Sequence, residues 1–196
     1  MQKFVLVLIA ALSLSASADT PDQQLATTVQ QLVADVGIQD QTQKYSALCD
    51  LVKADIDLPT ISGEILGQQF STLTRDQAGI DQFNALMPSI VVTTFYSLVS
   101  DKAGQASSVN PSPVPKGSER VGYRVTIGGT TITVTLLKSN NKIVDADWAG
   151  ISVVKMKERN LQNQLQQYYG ADPANSLPVS QLVQSLQNDK NLIRCP

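Results

Sequence analysis

Residues 143–156 read IVDADWAGISVVKM, and the arrangement of the rest of the chain turns on them. The first half alternates. Val144, Ala146 and Trp148 point to one side and Asp145 and Asp147 to the other, the period-2 pattern of an antiparallel strand with one apolar face and one face in water. Ala149-Gly150 interrupts the strand, and a glycine there predicts a bulge or bend. Ile151, Val153 and Val154 resume the apolar content, and a polar, helix-like stretch follows from Lys155. The chain's only Trp thus stands at a junction of sheet and helix. Gly150 is read as serving the bend, Ser152 as making a local hydrogen bond there, and Asp145 as structural.

Working backwards, residues 121–127 alternate Val121, Tyr123, Val125 and Ile127 against Gly122, Arg124 and Thr126, and Gly128-Gly129 is a two-residue hairpin signal. Residues 130–137 set Ile132, Val134 and Leu136 against threonines, and Asn140-Asn141 makes the next tight turn. A meander of about four strands, apolar on one face, is expected. The Ser/Pro/Gly-rich run 103–118 reads as a long surface loop with a short edge strand near 107–110.

Helices precede the sheet. Leu25, Val29, Leu32, Val33 and Val36 form one stripe over residues 23–36, closed by Gly37. Tyr45, Leu48, Cys49 and Val52 repeat the spacing in a second helix, expected to stop near Leu58-Pro59. Residues 61–70 form a short apolar element in which Gly63 and Gly67 would allow close backbone approach. Thr74 to Gln77 has capping-box spacing and opens a long helix carrying Ile80, Phe83, Met87, Ile90, Val91, Phe95, Leu98 and Val99, with Pro88 expected to kink it. After the sheet, residues 155–169 return to helix with Gly170 as the stop, and Pro178 opens a last amphipathic helix with Leu182, Val183 and Leu186. The class is α+β: a curved antiparallel sheet packed against several helices.

Residues 1–18 have the form of a cleaved signal peptide: Lys3, an apolar run, then Ala16-Ser17-Ala18. Residues 19–196 are then expected to be one exported domain. The chain has 196 residues and a formal net charge of −2, with its basic residues scattered. This points away from nucleic acid and from tight binding to anionic surfaces. Cys49 and Cys195 are the only cysteines, and an even count in an exported protein predicts a disulfide between them.

With no His at all, Ser-His-Asp and Cys-His catalysis and most zinc chemistry are excluded. Phosphate-loop signatures are missing too, and 150–154 lacks the closing glycine of a nucleophile elbow. No catalytic residue, metal site or cofactor is expected. Asp145 and Asp147 share a strand face and could pair for acid/base work, but the same alternation places them on a solvated outer face. Apolar binding remains, in a cavity between a curved sheet and aromatic-bearing helices.

From Tyr45 to Leu186 the chain resembles the MlaC (toluene-tolerance) family of periplasmic phospholipid carriers. The resemblance rests on Ile65-Leu66-Gly67-Gln68 followed by the long helix, and on Val144-Asp145 followed by Ala149-Gly150-Ile151-Ser152-Val153-Val154 and a helix. It implies an NTF2-like cone whose apolar interior holds acyl chains. It also implies a monomer that shuttles between an outer-membrane lipoprotein complex and an inner-membrane ABC transporter with an MCE-domain component, maintaining outer-membrane lipid asymmetry. The residues then expected to line the cavity are Ile65, Leu66, Phe70, Phe83, Met87, Ile90, Phe95, Val125, Ile127, Val134, Leu136, Val144, Trp148, Ile151 and Val153. Two other readings stand beside this one. The same fold with a filled core could serve a protein partner, or a polar pocket could use Asp145, Asp147 or Glu64 as an enzyme.

Overall fold

The computed structural model describes residues 20–102 and 112–196. The expected signal peptide and the edge strand expected at 107–110 lie outside the described residues. Five strands follow one another as an antiparallel meander: β1 (Ser112–Pro115), β2 (Arg120–Ile127), β3 (Thr130–Leu137), β4 (Ile143–Trp148) and β5 (Ile151–Ser152). The edge strand is therefore at 112–115, where its register sets Pro113 opposite Tyr123 and Pro115 opposite Val121. Proline is tolerated there because an edge leaves one side of the backbone unpaired. Gly128 and Gly129 close the β2–β3 hairpin with φ of 51° and 78°, the left-handed pair that such a turn demands.

The alternation in β4 is interrupted where the sequence does not announce it. Val134 pairs with Ala146 and Thr135 with Asp145, yet Leu136 pairs with Ile143. Val144 is thus an extra residue, a bulge. It is fully buried, but Ile143 takes its place beside Ala146 and Trp148 on the helix-facing side. The bend expected at Ala149-Gly150 is a two-residue hairpin turn between Trp148 and Ile151, with φ of 52° and 81°.

Six helices complete the described residues: α1 (Pro21–Val36), α2 (Gln41–Asp55), α3 (Leu58–Ser71), α4 (Gln77–Val99), α5 (Val153–Ala171) and α6 (Pro178–Gln187). The apolar residues separate into two clusters. In one, Leu25 and Val29 of α1 cover Tyr123, Val125, Ile127, Ile132, Val134 and Leu136 of the sheet. The other is helical and centres on Phe70, Phe83, Met87, Leu165 and Leu182.

Several boundaries differ from expectation. α2 stops at Asp55, just before Leu58-Pro59 as expected, but that pair also starts α3, with Asp57 as N-cap accepting from Thr60 N at 3.1 Å. Proline suits a first turn because its missing N–H has no intrahelical partner there. Thr74–Asp76 forms a 3-10 turn, and Asp76, wholly buried, spends its carboxylate on another helix, accepting from Val179 N at 2.6 Å and Ser180 N at 3.2 Å at the start of α6. α4 runs as one helix through Pro88. Gly170 lies inside α5, since nothing at that position requires a positive φ. At Gly63 a side chain would meet nothing within 4 Å, so no close approach occurs there.

The disulfide joins Cys49 of α2 to Cys195 across 146 residues, with Cα atoms 5.5 Å apart. It pins a C-terminal strap to the helical layer. Ile193 N donates to Thr93 Oγ1 at 2.9 Å, Cys195 N to Ser89 Oγ at 3.0 Å, and Leu192 and Ile193 are buried beneath. Closing so long a loop removes much of the unfolded chain's freedom. Cys195→Ser is expected to lower unfolding free energy by about 3 kcal/mol, read as the loss in urea midpoint. Reductant should reproduce the loss in the parent protein and leave the variant unchanged.

Asp57 ties the β3–β4 turn to α3. Burial works against its charge, but the hydrogen bonds from Asn140 Nδ2 at 2.7 Å and from Thr60, with the nearby Lys142, outweigh it and hold the carboxyl below the ordinary aspartate range. A depressed folded value stabilises the fold above the unfolded pKa of about 3.9, and the contribution is lost as pH falls through the lower folded value. An NMR titration should put the Asp57 midpoint below 3.9, and Asn140→Ala should move it upward.

Candidate functional site

Two narrow apolar slots lie where β4 meets the helices. The first, about 20 Å³, is enclosed by Ile61 and Ile65 of α3, Ile90, Val91, Thr94 and Phe95 of α4, Ile143, Asp145 and Ala146 of β4, and Val153, Val154 and Lys157 of α5. The second, about 40 Å³, runs between α1, the end of α4 and the sheet, against Thr28, Val29, Leu32, Phe95, Leu98, Val99, Ile127, Ile132, Val134, Ile143, Ala146 and Trp148. Phe95, Ile143 and Ala146 line both and form the wall between them. Pockets for small molecules usually measure about 300–1,000 Å³, so both slots are narrow by that standard.

Two of the side-chain polar atoms at the first slot are committed. Thr94 Oγ1 donates back to Ile90 O at 2.7 Å. Asp145 Oδ1 accepts from Ala146 N at 2.8 Å and from Val154 N at 3.1 Å. Asp145 is therefore turned toward the first turn of α5 and is not on a solvated outer face as alternation suggested. The reason is that α5 folds back against β4 immediately after the hairpin. Asp147 does lie outward, paired with Lys116 Nζ at 2.8 Å. Glu64 is ion-paired with Arg120. The three carboxylates do not converge on a polar pocket, and among the described residues no group of His, Cys, Asp and Glu could hold a metal ion. No helix among them is long and apolar enough to cross a membrane.

Of the residues expected to line a cavity, Ile65, Ile90, Phe95 and Val153 reach the first slot, and Phe95, Ile127, Val134 and Trp148 the second. Leu66 instead lines a separate groove with Ser62, Gly63 and Asn84. Phe70, Phe83, Met87, Val125, Leu136 and Val144 are buried but line neither slot. Ile151 is 62% exposed, because the hairpin turn points it away from the interior. Sequence reasoning missed Ile143, hidden by the bulge, and Ala146, too small to suggest a lining role. It also missed Lys157, whose place four residues after Val153 and four before Leu161 was a usable signal.

The family model described as MlaC protein matches residues 22–176. In fold the chain is similar to a phospholipid-binding protein from Ralstonia solanacearum, solved in complex with a phospholipid. That likeness has a TM-score of 0.62 and 14% sequence identity, covering 85% of this chain and 96% of the other. No curated protein matches the chain in sequence.

The partition between the slots can be removed. Phe95→Ala is expected to cost about 3 kcal/mol of stability and to merge the two slots into one cavity. Denaturant titration would give the first, and xenon binding in crystals, absent in the parent, the second.

Proposed function

The chain belongs to the MlaC protein family, and from that premise we propose that it is a periplasmic phospholipid carrier. The single observation that carries this reading is the pair of apolar slots meeting at Phe95, Ile143 and Ala146. An acyl tail of ~15 methylenes costs about 12 kcal/mol to hold in water at ~0.8 kcal/mol each, and an apolar interior offsets that cost. The phospholipid bound by the Ralstonia solanacearum protein of the same fold supports the choice of cargo. In this reading residues 1–18 are removed on export and residues 19–196 form one lipid-binding domain. The acyl chains run along Ile65, Ile90, Phe95 and Val153 on one side of the partition and Ile127, Val134 and Trp148 on the other. The carrier performs no catalysis. It moves lipid between an outer-membrane lipoprotein complex and an inner-membrane MCE-domain transporter, and so maintains the asymmetry of the outer membrane.

The narrowness of the slots favours a second reading, a filled core whose business is with a protein partner. One experiment separates the two. The protein is isolated gently from the periplasm and weighed by native mass spectrometry, with its released lipids identified. The carrier reading expects one phospholipid per chain, lost in Ala146→Phe, which fills the wall shared by both slots. A lipid-free mass, with no uptake from phospholipid vesicles, would transfer the assignment to the protein-interaction module.

A further inference from the structure

One side chain in the first slot is out of character with its surroundings. Along α5 the inward stripe runs at a spacing of four: Val153, residue 157, Leu161 and Leu165. Three of these are buried and apolar, and the fourth is Lys157. It is half-buried, it lines the slot, and it is the only cationic residue lining either slot. A lysine in that position lays its methylene stem along the apolar wall and carries its ammonium to the water at the slot's edge.

Among the described residues the ammonium has no partner. Three other cations are engaged: Lys155 with Glu158 at 2.6 Å, Lys116 with Asp147, and Arg120 with Glu64. Lys157 makes no ion pair and no hydrogen bond among the described residues. Asp145, the one carboxylate lining the same slot, gives its Oδ1 to two backbone amides. An ammonium without a protein partner at the edge of an apolar slot is free to meet an anion held there.

We propose that Lys157 is the headgroup contact of the bound lipid. Its ammonium binds the phosphodiester anion while an acyl chain enters the slot behind it. The inference rests on the carrier reading and adds to it a means of selecting phosphate-bearing lipids over uncharged ones with the same tails. A charge-assisted contact of this kind is among the stronger hydrogen bonds. It requires no phosphate loop, which is why no sequence motif marks it.

The test uses delipidated protein offered an equimolar mixture of dioleoylphosphatidylglycerol and dioleoylglycerol, with captured lipid counted by native mass spectrometry. The tails are identical, so the ratio reports the head alone. The parent should favour the phospholipid about tenfold. Lys157→Met should bring the ratio close to one while still taking up diacylglycerol, which also reports that it folds. Lys157→Arg should keep the preference. An undiminished preference in Lys157→Met overturns the assignment. Uptake of neither lipid by the parent sinks the carrier reading and this inference with it. Inorganic phosphate, titrated alone and followed by 31P NMR, should not bind; binding that Lys157→Met abolishes would make this a free-phosphate site and overturn the lipid-head assignment.

Discussion

The carboxylate of Asp145 holds the sheet to the helices. Its Oδ1 takes the amide of Ala146 on its own strand and the amide of Val154 in the first turn of α5. Between them the chain reverses in two residues, Ala149 and Gly150, both at positive φ. Ser152 Oγ then accepts from Lys155 N at 3.0 Å and caps the helix. Two orphan amides of a helix N-terminus are thereby satisfied by residues of the strand and the turn that precede it. The direction of α5 is fixed at its root, and with it the placement of Val153, Val154 and Lys157 in the wall of the first slot. Further along, Gln162 Nε2 donates to Ile65 O at 3.3 Å, just before the break in α3 at Gly67. The break itself depends on glycine, since Gly67 sits at φ of 66°, which side chains rarely adopt.

What the sequence made legible follows from local rules. Hairpins with paired glycines, Pro178 at a helix start, the stripe of α1 and the class of the fold are all short-range patterns. Errors arose where a long-range partner decided the outcome. Thr74 to Gln77 has capping-box spacing, but Thr74–Asp76 forms a 3-10 turn whose Asp76 carboxylate is taken by α6, a hundred residues away. The alternation of β4 is intact as a string, yet pairing with β3 inserts Val144 as a bulge and hands its inward place to Ile143. Gly170 and Pro59 are breakers in isolation and ordinary helix residues in context.

The site was legible as a region and not as a list of residues. Phe83, Met87 and Phe95 are indistinguishable as apolar positions on α4, but Phe83 and Met87 meet well-fitting neighbours in the helical cluster while Phe95 stands where two clusters fail to close on each other. Whether an apolar side chain lines a gap is set by the shapes of its neighbours, which no periodicity records. A polar residue in an apolar stripe is different. Lys157 breaks the four-residue spacing of α5 visibly, and such a break can be found from sequence.

The two clusters also bear on how so narrow an interior could take a lipid tail. The second slot lies between them: Val29, Ile127, Ile132 and Val134 belong to the sheet and α1, while Val99 belongs to the helical layer and Phe95 packs against it. Each cluster is held by its own ladder or helix pairs. The joint between them is mostly apolar contact across Phe95, Ile143, Ala146 and Trp148. Apolar contact has no preferred direction, unlike a hydrogen bond, so these contacts can part without unpairing donors or acceptors; the polar tie beside the second slot is Thr28 Oγ1, which donates to Asp55 Oδ2 at 2.7 Å. The strap held by Cys49 and Cys195 lies on the helical side at Ser89 and Thr93 of α4 and does not cross the joint. Restraint and compliance are thus partly separated: the disulfide strap lies on the helical layer, the Asp145 hydrogen bond to Val154 N ties β4 to α5, and non-directional packing fills the seam at Phe95. In the carrier reading a tail enters by parting the seam, and the lost contacts across the seam are replaced by contacts with the tail.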